Sequence, residues 1–159
     1  ALKYPPLVRT IPIVTAQDMY EAVTREAEHA DIIIKAAAVA DYTPETVADN
    51  KIKKSDSDLS IPLRRTQDIL GYLGTHRRPG QFLCGFSMET EHMLENSRKK
   101  LTKKNLDMIV ANNVKDAGAG FQGNTNVITM ITQDSVTQLP LMDKEEAAHA
   151  ILTEILARR

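Results

Sequence analysis

The chain has 159 residues, which suits a single domain with a hydrophobic core of useful size. Twenty lysines and arginines against twenty-one aspartates and glutamates leave a formal charge of -1, so no global field selects nucleic acid or a membrane surface as partner, and any anion binding must come from local clusters. No apolar run approaches the ~20 residues of a spanning helix and no export signal is visible, so a cytoplasmic protein is expected, and the lone Cys84 leaves no internal disulfide.

In chain order, Tyr4-Pro5-Pro6 reads as an extended connection arriving from an upstream element. Val8 to Val14, interrupted by Pro12, reads as a short strand, and Thr15 to Asp18 as a capping box opening a helix that runs to about Ala30. Met19, Ala22, Val23 and Ala27 give that helix an apolar stripe. Ile32, Ile33 and Ile34 form a β-branched run that suits a central strand of a parallel sheet, buried on both faces. Lys51 to Lys54 and Leu59 to Leu63 flank the polar Ser55 to Asp58, a pattern that predicts a projecting β-hairpin. It serves as a movable flap or as a dimer-forming arm. Thr66 to Asp68 caps a short helix with Ile69, Leu70 and Leu73, closed by Arg77 to Gly80.

Gln81 to Phe86 reads as another parallel strand, Thr90 to about Lys104 as a helix with Met93, Leu94, Ser97 and Leu101 turned inward, and Met108 to Ala111 as a further strand. Cys84, inside Gln81 to Phe86, is a small buried hydrophobe with no chemistry assigned. Gly118-Ala-Gly-Phe-Gln-Gly123 matches G-x-G-x-x-G literally. Such a fingerprint binds dinucleotides because its glycines open onto a helix N-terminus, whereas here a strand pattern, Val127 to Ile131, follows; a mobile loop is the reading. Val127 to Ile131 and Val136 to Leu139 form an antiparallel edge hairpin. Asp143 then caps a terminal helix with Ala147, Ala148, Ile151, Leu152, Ile155 and Leu156 as its buried stripe. The fold class is α/β: a Rossmann-like, doubly wound, mostly parallel sheet with an antiparallel edge hairpin and a projecting β-hairpin.

Chemistry concentrates between Asp31 and Lys54. Ala36, Ala37 and Ala38 follow the isoleucine strand, where small side chains let a ligand approach the backbone at the carboxyl end of a sheet. Asp41 offers a hard oxygen to a metal ion or a ligand hydroxyl, and Lys51, Lys53 and Lys54 offer ammonium donors to an anion. The same residues also suit tight helix packing, a turn before Pro44 and a solvated charged edge. Lys100 and Lys104, at i and i+4, share one helix face; they act together on an anion or form a solvated basic turn. The histidines, His29, His76, His92 and His149, are too dispersed for metal-ligand spacing.

Ala37-Ala-Val-Ala-Asp-Tyr42 followed after eight residues by Lys51-Ile-Lys-Lys54, then Asp68-Ile-Leu70, Gly85-Phe-Ser-Met-Glu-Thr90 and the run from Lys100 to Asn112, resembles bacterial phosphopantothenate-cysteine ligase, also called phosphopantothenoylcysteine synthetase. The resemblance covers nearly the whole chain. It implies coenzyme A biosynthesis: CTP-dependent joining of 4'-phosphopantothenate to L-cysteine through an acyl-cytidylate, with Mg2+. By the same resemblance Lys35, Ala36 and Ala37 line the CTP site largely through backbone, and Asp41, Lys51, Gln67, Asp68, Ile69, Leu70, Phe86, Lys100 and Lys104 contact the nucleotide. Lys51 is the residue assigned to transition-state charge. The resemblance also implies a homodimer and, often, fusion to a flavin-dependent decarboxylase domain.

Two features depart from that pattern. The family carries, ahead of the part present in this chain, a strand-loop-helix segment with a glycine-rich turn and an Asn-rich stretch, so the chain is expected to be an N-terminally incomplete ligase domain, inactive alone. Gln67 stands where the family commonly has proline. A competing reading is a non-catalytic nucleotide-binding or dimerisation module; a dehydrogenase is disfavoured by the strand after Gly123.

Overall fold

Local capping starts the first regular element of the computed structural model, which describes residues 6–54, 58–89, 91–113 and 123–159. Asp18 N-H donates to the Thr15 hydroxyl (3.1 Å) and Thr15 N-H donates to the Asp18 carboxylate (2.9 Å), opening α1, Ala16–Ala27. The helix ends three residues before Ala30. β1 is Ile32–Lys35, β2 Tyr42–Pro44 and β3 Leu63–Arg65; α2 is Ile69–His76, β4 Phe82–Glu89, α3 Met93–Lys103 and β5 Met108–Asn113. β6 is Thr125–Asn126, β7 Ile128–Thr132, β8 Val136–Gln138, β9 Met142–Asp143 and α4 Lys144–Ala157.

The main sheet has the order β1-β4-β5-β7-β8. β1, β4 and β5 run parallel, with Lys35 opposite Gly85 and Glu89 opposite Asn113, while β7 and β8 are antiparallel additions at the far edge. β2 pairs with β3 in a separate two-stranded ladder, and β6 with β9 in another. Side chains alternate across the sheet. Leu83, Ile109, Ala111 and Ile131 pack on one face against Leu70, Leu73 and Leu101, with Met19 and Val23 of α1 beside them. Cys84, Met108, Val110 and Met130 pack on the other against Ala147, Ile151 and Ile155 of α4. Each fully buried Leu or Ile contributes about 1.5–3 kcal/mol to this core. The architecture is the mixed α/β, doubly wound one predicted. No helix among the described residues is long and apolar enough to cross a membrane.

Several elements differ from the sequence reading. Residues 8–14 form no strand: Pro12 has no N-H to give a ladder, Val14 N-H donates to Asp18 instead (3.0 Å), and Val14 is fully exposed. β1 is consequently an edge strand among the described residues, not a central one, and Ile34 is 38% exposed. The hairpin is built from Tyr42–Pro44 and Leu63–Arg65, because Thr66 N-H donates to Asp41 O (3.0 Å) and Glu45 N-H to Pro62 O (3.0 Å), which fixes the register at the roots of the loop. Lys51 to Lys54 therefore lie in the exposed loop and belong to no strand, and most of the predicted Ser55 to Asp58 turn falls outside the described residues.

β4 runs three residues past Phe86, because β5, itself longer than Met108 to Ala111, pairs with it to the end. Thr90 lies outside the described residues, and α3 starts at Met93, its N-cap His92 in the left-handed region (φ 51°). Most of Gly118 to Gly123 also lies outside them; after Gly123 the chain enters β6 and β7. On α4, Leu152 and Leu156 are exposed, so the buried stripe is narrower than predicted and consists of Ala147, Ile151 and Ile155.

Candidate functional site

At the carboxyl end of β1 the chain leaves the sheet through Lys35 and the alanines, and the Thr66 hydroxyl bonds Ala40 O (2.6 Å), clamping this loop against the segment after β3. Asp68, two residues on, is the N-cap of α2: its carboxylate accepts from Gly71 N-H (3.0 Å) and from the Lys104 ammonium (2.9 Å). The ends of α2 and α3 meet closely. A Cβ on Gly74 would sit 1.8 Å from Lys104 O, so only glycine lets the two backbones touch, and Asn105 Nδ2 donates to Gly74 O (2.8 Å) across the contact. Gly85 has a similar role in β4, where a Cβ would meet the Leu70 side chain at 2.7 Å.

These segments enclose a cleft of about 520 Å³ lined by Lys35, Ala37, Ala38, Val39, Asp41, Tyr42, Arg65, Thr66, Gln67, Asp68, Ile69, Leu70, Phe86, Lys100, Lys104 and Ile109. It lies where open α/β sheets bind ligands. It gathers Ala38 and, of the residues that the family resemblance places at the nucleotide, Lys35, Ala37, Asp41, Gln67, Asp68, Ile69, Leu70, Phe86, Lys100 and Lys104, whereas Lys53 and Lys54 are exposed and do not line it. Two of the resemblance set stay outside. Ala36 lines a second, largely apolar groove of about 480 Å³ along β1, together with Ile11, Ile13 and Ile32 to Ile34. Lys51 is exposed and lines neither, although Tyr42 and Arg65, the roots of its loop, do line the cleft.

The cleft is a set of compensated charges. Burial pulls the Asp68 carboxyl up, but the bonds from Lys104 and Gly71 N-H, with the charges of Lys104 and Lys35, outweigh it and hold the group below the ordinary aspartate value. Burial, then the neighbouring Lys104 charge, pushes the Lys35 amine down, against the pull of Asp68 and Asp41. Lys35 Nζ donates to Ala37 O (3.0 Å). Lys100 donates to Glu89 (2.7 Å) and to the Ser87 hydroxyl (3.2 Å). The Asp41 carboxylate and the Arg65 guanidinium make no side-chain bond to another described residue.

Lys100 and Lys104 both reach the cleft because of the length of β4. From Phe86 to Glu89 the strand rises about 10 Å, and from Met93 to Lys100 the returning helix descends about 10 Å, so its last turns pass the level of the cleft again. Arg65 escaped the sequence reading; the adjacent Arg64-Arg65 pair ahead of the Thr66 to Asp68 cap was the available signal. Glu89 escaped too, though it sits within the Gly85 to Thr90 block. Cys84 is fully buried, and burial with the nearby Asp107 charge pushes its thiol up to about 12, so it is no nucleophile. Among the described residues no group of three or more His, Cys, Asp or Glu converges as a metal site.

A Rossmann-like sheet with a polar, mixed-charge cleft at the carboxyl ends of its parallel strands defines an α/β domain of the doubly wound class. The chain belongs to the family described as the DNA/pantothenate metabolism flavoprotein C-terminal domain, which matches residues 1–158. It is 47% identical over 152 residues to the coenzyme A biosynthesis bifunctional protein CoaBC of Bacillus subtilis (strain 168), covering 95% of this chain and 37% of that protein. It is 43% identical over 150 residues to a protein of an unknown prokaryotic organism named cysteine/cysteine sulfinic acid decarboxylase, covering 94% of this chain and 42% of that one. The crystal structure of the C-terminal domain of a CoaBC protein superposes with a TM-score of 0.79 at 40% identity, over 98% of this chain and 68% of that one. The chain thus spans about two fifths of the curated relatives' length.

Proposed function

We propose that this domain supplies most of the CTP site of a phosphopantothenate-cysteine ligase in coenzyme A biosynthesis. One observation carries the reading: ten of the residues that the family resemblance assigns to CTP line a single cleft at the carboxyl ends of the parallel strands. The relative named for coenzyme A biosynthesis supports it.

In the first step the 4'-phosphopantothenate carboxylate attacks the α-phosphorus of CTP, expelling pyrophosphate and leaving an acyl-cytidylate. Negative charge grows on phosphate oxygens as it does so, and cations fixed at the cleft stabilise that charge. Lys100 enters from α3 and Lys104 from its C-cap, Lys35 from β1 and Arg65 from β3, while Phe86, Ile69 and Leu70 offer an apolar wall to the base. Lys51 is the proposed catalytic cation, delivered from the loop rooted at Tyr42 and Arg65 or from a second copy in a homodimer. Asp41, its carboxylate without a side-chain bond among the described residues, fits Mg2+, which binds through one or two carboxylates plus substrate phosphates and would screen the triphosphate when present. In the second step the L-cysteine amine displaces CMP.

The domain is read as an incomplete unit whose turnover needs further polypeptide, in line with its span of 37% of CoaBC. The apolar groove along β1, an edge strand among the described residues, supports this, because an exposed apolar strand edge is ordinarily covered by another element. An associated flavin-dependent decarboxylase domain and a cytoplasmic setting belong to the same proposal.

Calorimetric titration with CTP and Mg2+ tests it: saturable binding is expected, weakened about tenfold or more by Lys104→Ala and by Lys51→Ala, the scale of one charge-assisted contact. Absence of heat would favour a non-catalytic dimerisation module. Pyrophosphate release by this chain alone at a normal rate would overturn the incomplete-unit reading.

A further inference from the structure

Glu89 closes β4 beside the cleft without lining it. Its side chain is only 13% exposed, and both carboxylate oxygens are engaged. Oε1 accepts from Lys100 Nζ (2.7 Å) and from the Ser87 hydroxyl (2.8 Å), and Oε2 accepts from Asn96 Nδ2 (3.2 Å). Asn96 is itself fixed, donating also to Glu91 O (3.1 Å), and Ser87 is buried. This is unlike the neighbouring Lys99–Glu95 pair, which lies out in solvent with 69% and 61% of its side chains exposed and needs no explanation beyond a helix i,i+4 contact.

We infer that Glu89 is a positioning residue, which holds the Lys100 ammonium at the rim of the cleft in the orientation a bound phosphate meets. The inference rests on the nucleotide reading of the cleft. Two effects compete. A carboxylate near a phosphate repels it, whereas a lysine held in place loses less freedom when it binds. The geometry favours the second, because Glu89 is largely buried and does not line the cleft, while Lys100 is 46% exposed and does. The Glu89 carboxyl stays ionised in this role, since burial pulls it up but bonds from Lys100, Ser87 and Asn96 hold it below the ordinary glutamate value.

The two effects predict opposite signs. In titrations of the whole chain with CTP and Mg2+, and in parallel with inorganic tripolyphosphate, Glu89→Ala is expected to weaken binding about tenfold, the scale of one charge-assisted contact. Glu89→Gln, whose amide oxygen still accepts from the ammonium, recovers most of that loss, and Asn96→Ala loses about threefold by loosening Glu89. The double variant Glu89→Ala with Lys100→Ala should bind no worse than Lys100→Ala alone, a non-additivity that general loss of structure does not produce. Binding by Glu89→Ala that is unchanged or tighter, or losses that multiply in the double variant, would overturn the inference. If Glu89→Ala fails to fold, Glu89→Gln and Asn96→Ala carry the same test, and equal affinities across them and the wild type refute it. Wild-type binding of tripolyphosphate but not CTP sinks the nucleotide reading alone, and the series is then read with tripolyphosphate; binding of neither ligand overturns both.

Discussion

Replacing Gly74 by alanine tests the contact on which the cleft's geometry rests. The added Cβ would start 1.8 Å from Lys104 O and 2.8 Å from Lys104 C, so to reach ordinary contact at 3.4 Å the oxygen must retreat by about 1.6 Å. Both atoms are backbone, and no rotamer change relieves the clash. Asn105, next in the chain, is already in the left-handed region (φ 49°) and bonds Gly74 O, so the retreat breaks that bond as well. Overpacking of this kind costs about 1–3 kcal/mol and the lost hydrogen bond about 0.5–1.5 kcal/mol. Alanine's better helix propensity returns about 1 kcal/mol. The net loss of about 1–3 kcal/mol translates, for a chain of this size, into a thermal midpoint about 3–10 °C lower. Because Lys104 moves with its carbonyl, its bond to Asp68 should weaken, and on the proposed nucleotide reading CTP affinity should fall in the same variant. Circular-dichroism melts and calorimetric titration measure the two effects. A Gly74→Ala protein as stable as the wild type, or more so, would refute the close approach and with it the account of how Lys104 is placed.

Arg65→Ala should weaken tripolyphosphate binding about tenfold with little change in thermal midpoint, since the guanidinium bonds no other described side chain and each charge-assisted contact is of that order; an unchanged affinity in the titration would remove Arg65 from the cleft's working cations. The acid limb of the stability curve should depend on Asp68. Its carboxyl is held below 3.8 in the folded protein, so it contributes stability above the unfolded value that is lost as pH falls through the folded one, a window below about pH 4. Asp68→Asn, followed by urea midpoints between pH 7 and pH 3, should be less stable at neutrality and flatter in acid, and an acid limb identical to the wild type would contradict this assignment.

What the sequence made legible was whatever local chemistry decides. The Thr15 and Asp143 caps, the β7–β8 hairpin and most of the inward face of α3 follow from spacing that acts over a few residues; Leu94, expected on that face, is instead 45% exposed, one position round the helix from Met93. Pairing partners were not legible. Val8 to Val14 has strand-like composition but forms no ladder, with Pro12 lacking an N-H and the Val14 N-H given to Asp18, and the backbone bonds from Thr66 and Glu45 gave the hairpin expected at Lys51 to Lys54 to Tyr42–Pro44 and Leu63–Arg65. The isoleucine run predicted a strand correctly, but among the described residues it lies at the sheet edge with Ile34 38% exposed, since apolar composition does not fix sheet order. In the cleft, the separated blocks of family resemblance located most of the lining. The arrival of Lys100 there depends on how far β4 runs beyond Phe86, which is set by its pairing with β5 and is written in neither segment alone.

The uneven strand lengths also shape access to the cleft. β1 stops opposite Gly85, while β4 continues four residues further, to Glu89, alongside β5, standing about 13 Å taller. The sheet's upper margin is therefore a staircase: Glu89 stands at the top of its high side, where its carboxylate meets Lys100 arriving from α3, and at its low side the chain leaves β1 through Ala36, Ala37 and Ala38, whose methyl groups build nothing of comparable height.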